Sequence, residues 1–492
     1  MRKFSINVRF STTSNWVDLT DHALLMAAWQ FAEQLGVFKH WQKLQWKMKK
    51  VRYTPIDKMK TLWASIVVGC EHTYEINDKL GEHEQAIAQA VGLPRFPDQS
   101  QVNRWLRATR QEHLTQFRQV HLQLLAAHSR ARFKANWFVM PNGEPMLVAD
   151  IDQRAFAVRG KQFVLAKSGY FGRKRGRRGY QLTALFLGGS IGEIVNEYFD
   201  PGDTQIGFRI NDLIESLACL CKQIDIQSTQ VFIRGDAALG TPAIIAQVRT
   251  AGFHFLFKGL SPQRARKLAH QASGTFWRGK DGAEGERRWI TDMGEIDLID
   301  QSVANKGAKV RARTILQLRI VPPRIPRPGA HRRRKKQEGH RIEHSYYLTD
   351  LSQERLPTTN TPEIYDSRAT IERYFYDETY SLGAQHVRTS HFEGAALFQF
   401  LVATTNNLLR WMQHDVFKDT DLEKIGLGRL IHQAMQIPAR LRQEGDVLTV
   451  EMPSNHHWVK RLQPNWTGLK SSSPENISDA SINEISNRSR LN

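Results

Sequence analysis

The stretch 147–156, LVADIDQRAF, carries two acids on a short apolar run and decides how the rest of the chain is read. Met146 to Ile151 is a continuous apolar segment broken by Asp150, the length of a buried strand rather than of a helix. Asp152 therefore falls at a strand end. A second run, VFIRGDAALG (231–240), repeats the pattern, with Val231 to Ile233 as the strand and Asp236 just beyond it. A third acid, Glu372, lies in YDSRATIERYF (365–375), where Tyr365, Arg368 and Glu372 follow i, i+3, i+7 spacing and share a helical face. Carboxylates on two strand ends and a facing helix can converge to hold hard divalent cations through oxygen. Two such ions about 3.5–4 Å apart stabilise the attacking and the leaving oxygen of a phosphodiester. Asp150 alternates with Asp152, so it is expected on the same side of the strand, as a neighbour tuning metal affinity.

With these residues in place, the sequence resembles the DDE transposases of bacterial insertion sequences, in the group whose third motif is Tyr-x2-Arg-x3-Glu-x6-Lys. Tyr365, Arg368 and Glu372 match the first three letters in type and spacing, while Thr379 stands at the Lys position. The usual Asp-x-Thr around the first acid is here Asp152-Gln153-Arg154. The resemblance runs through 140–260 and 345–412, including ALFQFLVATTNNLLRW (396–411). It implies a mixed α/β, RNase H-like catalytic core with Asp152, Asp236 and Glu372 as catalytic and metal residues. The implied cofactor is Mg²⁺, with Mn²⁺ as a substitute. The implied reaction is cleavage of element ends and joining of their 3′-hydroxyls to target DNA. In that family Tyr365 and Arg368 handle DNA phosphate near the cut, and Arg373 or Arg388 is a candidate to replace the missing Lys. The partners implied are double-stranded DNA, as terminal repeats and target, and a second copy of the chain in a synaptic homodimer.

Composition agrees with a polyanionic partner. The net charge is +20, from 69 Lys plus Arg against 49 Asp plus Glu, and such an excess replaces counterions condensed on a phosphate backbone. No run of about 18 apolar residues exists, so no membrane span is expected; the resemblance implies a bacterial cytoplasmic location, nucleoid-associated when bound. The opening MRKFSINVRFSTTSN reads as an ordinary N-terminus. Cys70, Cys219 and Cys221 read as buried free thiols, because no paired Cys/His set completes a zinc site.

A chain of 492 residues exceeds one core. Residues 1–135 read as an all-helical region for DNA-end binding, 136–261 as the first part of the core, and 262–348 as a β-rich insertion. Residues 349–415 read as the second part of the core, in which the helix 396–411 braces the sheet. Residues 416–492 read as C-terminal helices and a disordered tail from Gly468. Four basic stretches are candidate DNA contacts. Lys47, Lys49 and Lys50 lie in KHWQKLQWKMKKVRY (39–53), whose Trp41, Trp46 and Tyr53 either stack on bases or anchor the core. Arg104 and Arg107 lie on a helix that forms part of a helix-turn-helix or of a plain bundle. Arg173, Lys174, Arg175, Arg177 and Arg178 form a glycine-flanked run, and Arg332, Arg333, Arg334 and Lys335 lie in a Pro/Gly-broken arm. Two other functions remain open at this point. The altered residues at 153–154 and 379 suit a catalytically decayed, DNA-binding protein, and the acids alone suit a stand-alone RNase H-like nuclease.

Overall fold

The computed structural model describes residues 5–11, 19–48, 52–81, 84–169, 171, 176–282, 285–300, 307–323, 339–445 and 447–462. It divides into two compact units, residues 125–160 with 165–375, and residues 1–124 with 161–164 and 376–492. Lys49, Lys50, Arg173, Lys174, Arg175, the Arg332–Lys336 run and the Gly468 tail lie outside the described residues.

The unit containing 165–375 is built on one mixed sheet. Its strands and helices run β1 (Pro145–Ala157), β2 (Arg178–Leu187), β3 (Glu193–Pro201), α1 (Ile210–Gln223), β4 (Val231–Gly235), α2 (Pro242–Thr250), β5 (His254–Lys258), α3 (Pro262–Gln271), β6 (Arg287–Ile299), β7 (Lys309–Val321), β8 (Arg341–Thr349), α4 (Thr361–Asp366) and α5 (Thr370–Tyr376). The order β3-β2-β1-β4-β5 is antiparallel on the β2 and β3 side and parallel on the β4 and β5 side. That is the RNase H-like arrangement, so the fold class is mixed α/β as the sequence implied. The parallel step is made possible by α1 and α2, because parallel neighbours need a crossover. The sequence marks the start of α2 with Thr241, whose hydroxyl accepts from the Ile244 amide, and with Pro242 at the first helical position.

Residues 262–348 contribute α3 and three long strands. The strand β8 lies antiparallel beside β5, and β7 and β6 follow in turn, so this segment extends the central sheet. One apolar cluster runs across the extension and the core alike: Val148, Phe232, Leu256, Ile290, Ile315 and Tyr347. Ile364 of α4 joins the same cluster. Each such side chain contributes about 1.5–3 kcal/mol on full burial, which pins α4 to the sheet. The single helix expected over 365–372 is instead three pieces, with a 3-10 turn at Ser367–Ala369 between α4 and α5. The Ser367 hydroxyl donates to the Ile364 carbonyl at that break (2.8 Å).

The other unit departs from the all-helical expectation for its N-terminal part. Helices at Ala23–Gln34, Pro55–Val67 and Gln99–Ala108 are present. However, Ser5–Ser11 is a strand, parallel to Val447–Pro453, which pairs in turn with Ala439–Glu444. SINVRFS alternates apolar and polar residues, the local signature of a strand, but its pairing partner lies at the far end of the chain, so the sheet it joins was not visible locally. The C-terminal region, expected to be helical, holds that hairpin, with Gly445 at φ 58° in its turn. The helix Phe392–Asp415 also belongs to this unit rather than to the catalytic sheet. Buried on all sides, with Gln399 and the run Thr404 to Asn407 among its buried residues, it packs against Ala23–Gln34, Pro55–Val67 and Gln99–Ala108.

Candidate active site

Strands β1 and β4 are parallel neighbours in which Ile151 pairs with Gly235. The residues that follow are Asp152 and Asp236, so the two acids lie at the same level: Asp236 just past the end of β4, and Asp152 within β1, which runs on to Ala157 paired with β2 and so does not end where the sequence suggested. The turn after β4 is held by Asp236 itself, whose Oδ1 accepts from the Ala238 amide (2.9 Å). Gly235 is required there, since a Cβ would lie 2.1 Å from the Leu239 side chain. Asp152 Oδ1 accepts from the Gln153 amide (2.8 Å), and its Oδ2 pairs with Arg368 Nη2 (2.9 Å). Arg368 also reaches the Ile151 carbonyl (3.3 Å).

The electrostatics tie Glu372 to this pair. Burial pushes the Asp152 carboxyl above its ordinary range; Arg368 pulls it down, and the negative charges of Asp236 and Glu372 push it up again. Glu372 is exposed on α5. Tyr365, whose ring packs 5.1 Å from that of Tyr347, has its phenol pushed up to about 12, first by burial, with Arg368 opposing and Asp236 and Asp152 adding. Five residues singled out in the sequence thus share one neighbourhood. The three acids stand as an open set, because their oxygens do not all lie within 4.8 Å of one another.

Asp150 does not play the tuning role expected of it. It is 1% exposed and takes both arms of Arg234, with Nε donating to Oδ1 (2.7 Å) and Nη2 to Oδ2 (2.8 Å). Arg234 also donates to the Ile364 carbonyl (2.6 Å) and to the Ser367 hydroxyl. The pair welds β1 and β4 to the break between α4 and α5. A carboxylate committed to a buried guanidinium is not a free metal ligand.

The two departures from Asp-x-Thr have visible partners. Gln153 Nε2 donates to Thr183 Oγ1 on β2 (2.9 Å) and to the Thr204 carbonyl (3.2 Å). Arg154 donates to the Phe375 carbonyl at the end of α5 (2.6 Å), its guanidinium 4.8 Å from the ring centres of Phe156 and Phe375. Gly192 lets α5 approach β3, because a Cβ there would lie 1.7 Å from the Tyr374 hydroxyl. Sequence reading missed these supports, and also a set of cations on the Asp236 side. Lys258 ends β5, and Arg288 and Arg319 pair across β6 and β7. Burial, then Arg319 and Arg288, lower the Lys258 pKa, while Asp366 and Asp236 raise it. The signal available was a Lys or Arg at the end of each apolar run.

Arg177 and Arg178 are exposed ahead of and at the start of β2, and Arg178 Nε donates to the Ala166 carbonyl (2.9 Å). In the other unit, Arg104 and Arg107 are exposed on Gln99–Ala108, opposite buried Val102, Trp105 and Leu106. Lys47 is exposed, but Trp41 and Tyr53 are buried and Trp46 stacks on His113 (4.8 Å), so these rings serve the core. Thr379 is half-buried in the π-helical turn Asp377–Ser381. Arg388 cannot replace the missing Lys. It is buried, donating to the Ser65 hydroxyl (2.6 Å) and the Cys70 carbonyl. Arg373, beside Glu372, is exposed.

An RNase H-like sheet with one acid on its first strand, one just past its fourth and one on a following helix defines a class of nucleic-acid-processing phosphoryl-transfer proteins. Residues 20–473 match the family model described as Transposase DDE domain group 1, and the chain belongs to that family of DDE transposases. Membership implies DNA as partner and a divalent metal as cofactor. None of the curated proteins matches the sequence. Among the described residues, no helix is long and apolar enough to cross a membrane.

Proposed function

We propose that this chain cleaves the ends of an insertion sequence and joins the released 3′-hydroxyls to target DNA, with Asp152, Asp236 and Glu372 holding Mg²⁺. The observation that carries the proposal is the position of Asp152 and Asp236 at one level of adjacent parallel strands, each directly after the pair Ile151–Gly235, with the Glu372 charge felt at Asp152. The donor set fits the ion: three hard oxygen donors, one of them desolvated and crowded by like charge, which a cation relieves. An open triad suits a pair of ions, since ligand oxygens at about 2.1 Å on ions about 4 Å apart need not close into a single cage. When bound, such ions supply Lewis-acid stabilisation to the attacking and leaving oxygens.

The chain's own residues do the rest. Arg368 neutralises Asp152 before DNA arrives and turns to a phosphate when it does, as a guanidinium can grip either anion bidentately. Tyr365 keeps its proton throughout the neutral range and donates a hydrogen bond. Lys258, Arg288 and Arg319 supply positive charge along the Asp236 side, and exposed Arg373 stands in for the Lys absent at Thr379. In cleavage, water oxygen bonds to phosphorus as the P–O3′ bond breaks, leaving a 3′-hydroxyl and a 5′-phosphate. In joining, that hydroxyl attacks a target phosphodiester, whose P–O3′ bond breaks. Two copies of the chain hold two ends, which places the protein on DNA in the bacterial cytoplasm.

The decayed reading loses its main support, because Gln153 and Arg154 brace the site. A pre-cleaved end with a free 3′-hydroxyl separates transposition from simple nuclease action. Joined products in Mg²⁺ or Mn²⁺ are expected; nicking without joining would assign the chain to the nucleases.

A further inference from the structure

A second group of metal-binding side chains lies in the unit that does not contain the acid triad. Among the described residues, Glu71, His72 and His386 are the one group of three His, Cys, Asp or Glu whose donor atoms all lie within 4.8 Å of one another. Glu71 Oε2 is 3.4 Å from His386 Nε2. Two ligands on a tetrahedral zinc, each at about 2.0–2.1 Å, stand roughly 3.3 Å apart. The imidazoles of His72 and His386 meet edge to face with centroids 4.4 Å apart.

We infer that Glu71, His72 and His386 form a site for a divalent transition-metal ion of the Zn²⁺ type, separate from the carboxylate site for Mg²⁺. Two imidazole nitrogens and one carboxylate oxygen make a borderline donor set that favours Zn²⁺ over the hard Mg²⁺. The backbone that presents these ligands is fixed. Glu75 accepts from the amides of Glu71 (3.2 Å) and His72 (3.1 Å), and Lys79 pairs with the same carboxylate (3.5 Å). On the far side, the turn bearing His386 runs from Gly383 at φ 71° to Val387 at φ 46°. A left-handed β-branched residue is strained and persists only where surroundings impose it. Here they do: Arg388 is anchored on Ser65 and Cys70, and Thr73 Oγ1 donates to its carbonyl (3.2 Å). The Glu71 side chain is half exposed, and Gln385 Nε2 lies 3.2 Å from His386 Nε2 at the surface. An incoming ion displaces that amide and keeps one position open to solvent. Chelation ties the segment after Pro55–Val67 to the turn before Phe392–Asp415, so its consequence is a staple within this unit.

The test is calorimetric titration of the metal-free full chain with Zn²⁺ in several millimolar Mg²⁺, paired with thermal unfolding. One tight equivalent is expected, with a raised unfolding midpoint. His386→Ala and His72→Asn each weaken it by about tenfold or more, while Glu372→Gln leaves it intact. Glu71→Gln, at a half-exposed position, serves as the variant least able to disturb folding and weakens Zn²⁺ in the same way. Zn²⁺ affinity unchanged in Glu71→Gln and His72→Asn, or no midpoint shift with Zn²⁺, overturns the site and leaves an ordinary Glu–His ion pair.

Discussion

Asp150 and Asp152 stand two positions apart on one strand and serve opposite ends. The first is neutralised inside the core by Arg234, the second faces like charges with Arg368 as its close counter-ion. Asp150→Asn leaves the Arg234 guanidinium buried without its partner, which costs about 3–5 kcal/mol. Urea unfolding checks this; a loss below about 1 kcal/mol would contradict the pairing. For Asp152 the sign runs the other way. Its folded pKa lies above the ordinary 3.8, so the folded state favours the protonated acid. The resulting stability is present below the unfolded value and lost as pH rises through the folded one. Cation binding needs the carboxylate, so Mn²⁺ affinity falls on acidification with a midpoint above 3.8. A midpoint at or below that value in a pH-resolved titration counts against a crowded site. The acids themselves were legible in the sequence because one interrupts an apolar run and the other ends it. Their division of labour was not, since alternation puts Asp150 and Asp152 on one side and says nothing of Arg234.

The elements that hold the site meet at close quarters. Helix α5 is gripped by Arg154 at its last turn and lies against Gly192, where no Cβ fits beside Tyr374. Gly192→Ala therefore shifts α5, destabilising the fold by about 1–3 kcal/mol and lowering cleavage through Glu372. Adding Tyr374→Ala should recover part of the stability, a non-additivity that a double-mutant cycle reads directly. Additive losses would mean that the two residues do not meet. Apolar runs bounded by turns made the core strands readable, and the strand-rich stretch 262–348 likewise. Two elements escaped. The strand Ser5–Ser11 finds its partner at Val447–Pro453, beyond the reach of any local window. The helix Phe392–Asp415 opens on a long apolar run, which announces burial but not which layer buries it.

Across the molecule, the charge excess of +20 matters more than any single basic run. If six to ten phosphates are neutralised, DNA affinity falls by about 10³–10⁵-fold between 50 and 200 mM salt. A shallow slope in a binding isotherm series would mean that the basic surface is not a DNA surface. The family was legible from three acids and their neighbours, since Asp152, Asp236 and Glu372 are spaced by the fold that carries them. The Glu71–His72–His386 group was not, because its members come from distant segments and no Cys/His spacing marks them.

The central claim is that Asp152, Asp236 and Glu372 together hold the catalytic cation, and the measurement closest to it is Mg²⁺-dependent cleavage of DNA bearing the element's own ends by the parent chain and Glu372→Gln. Cleavage by the parent is expected, with a loss of about 10²–10³-fold or more in the variant and DNA binding retained. Equal cleavage by the two proteins, or tight binding with no cleavage by either, would contradict that claim.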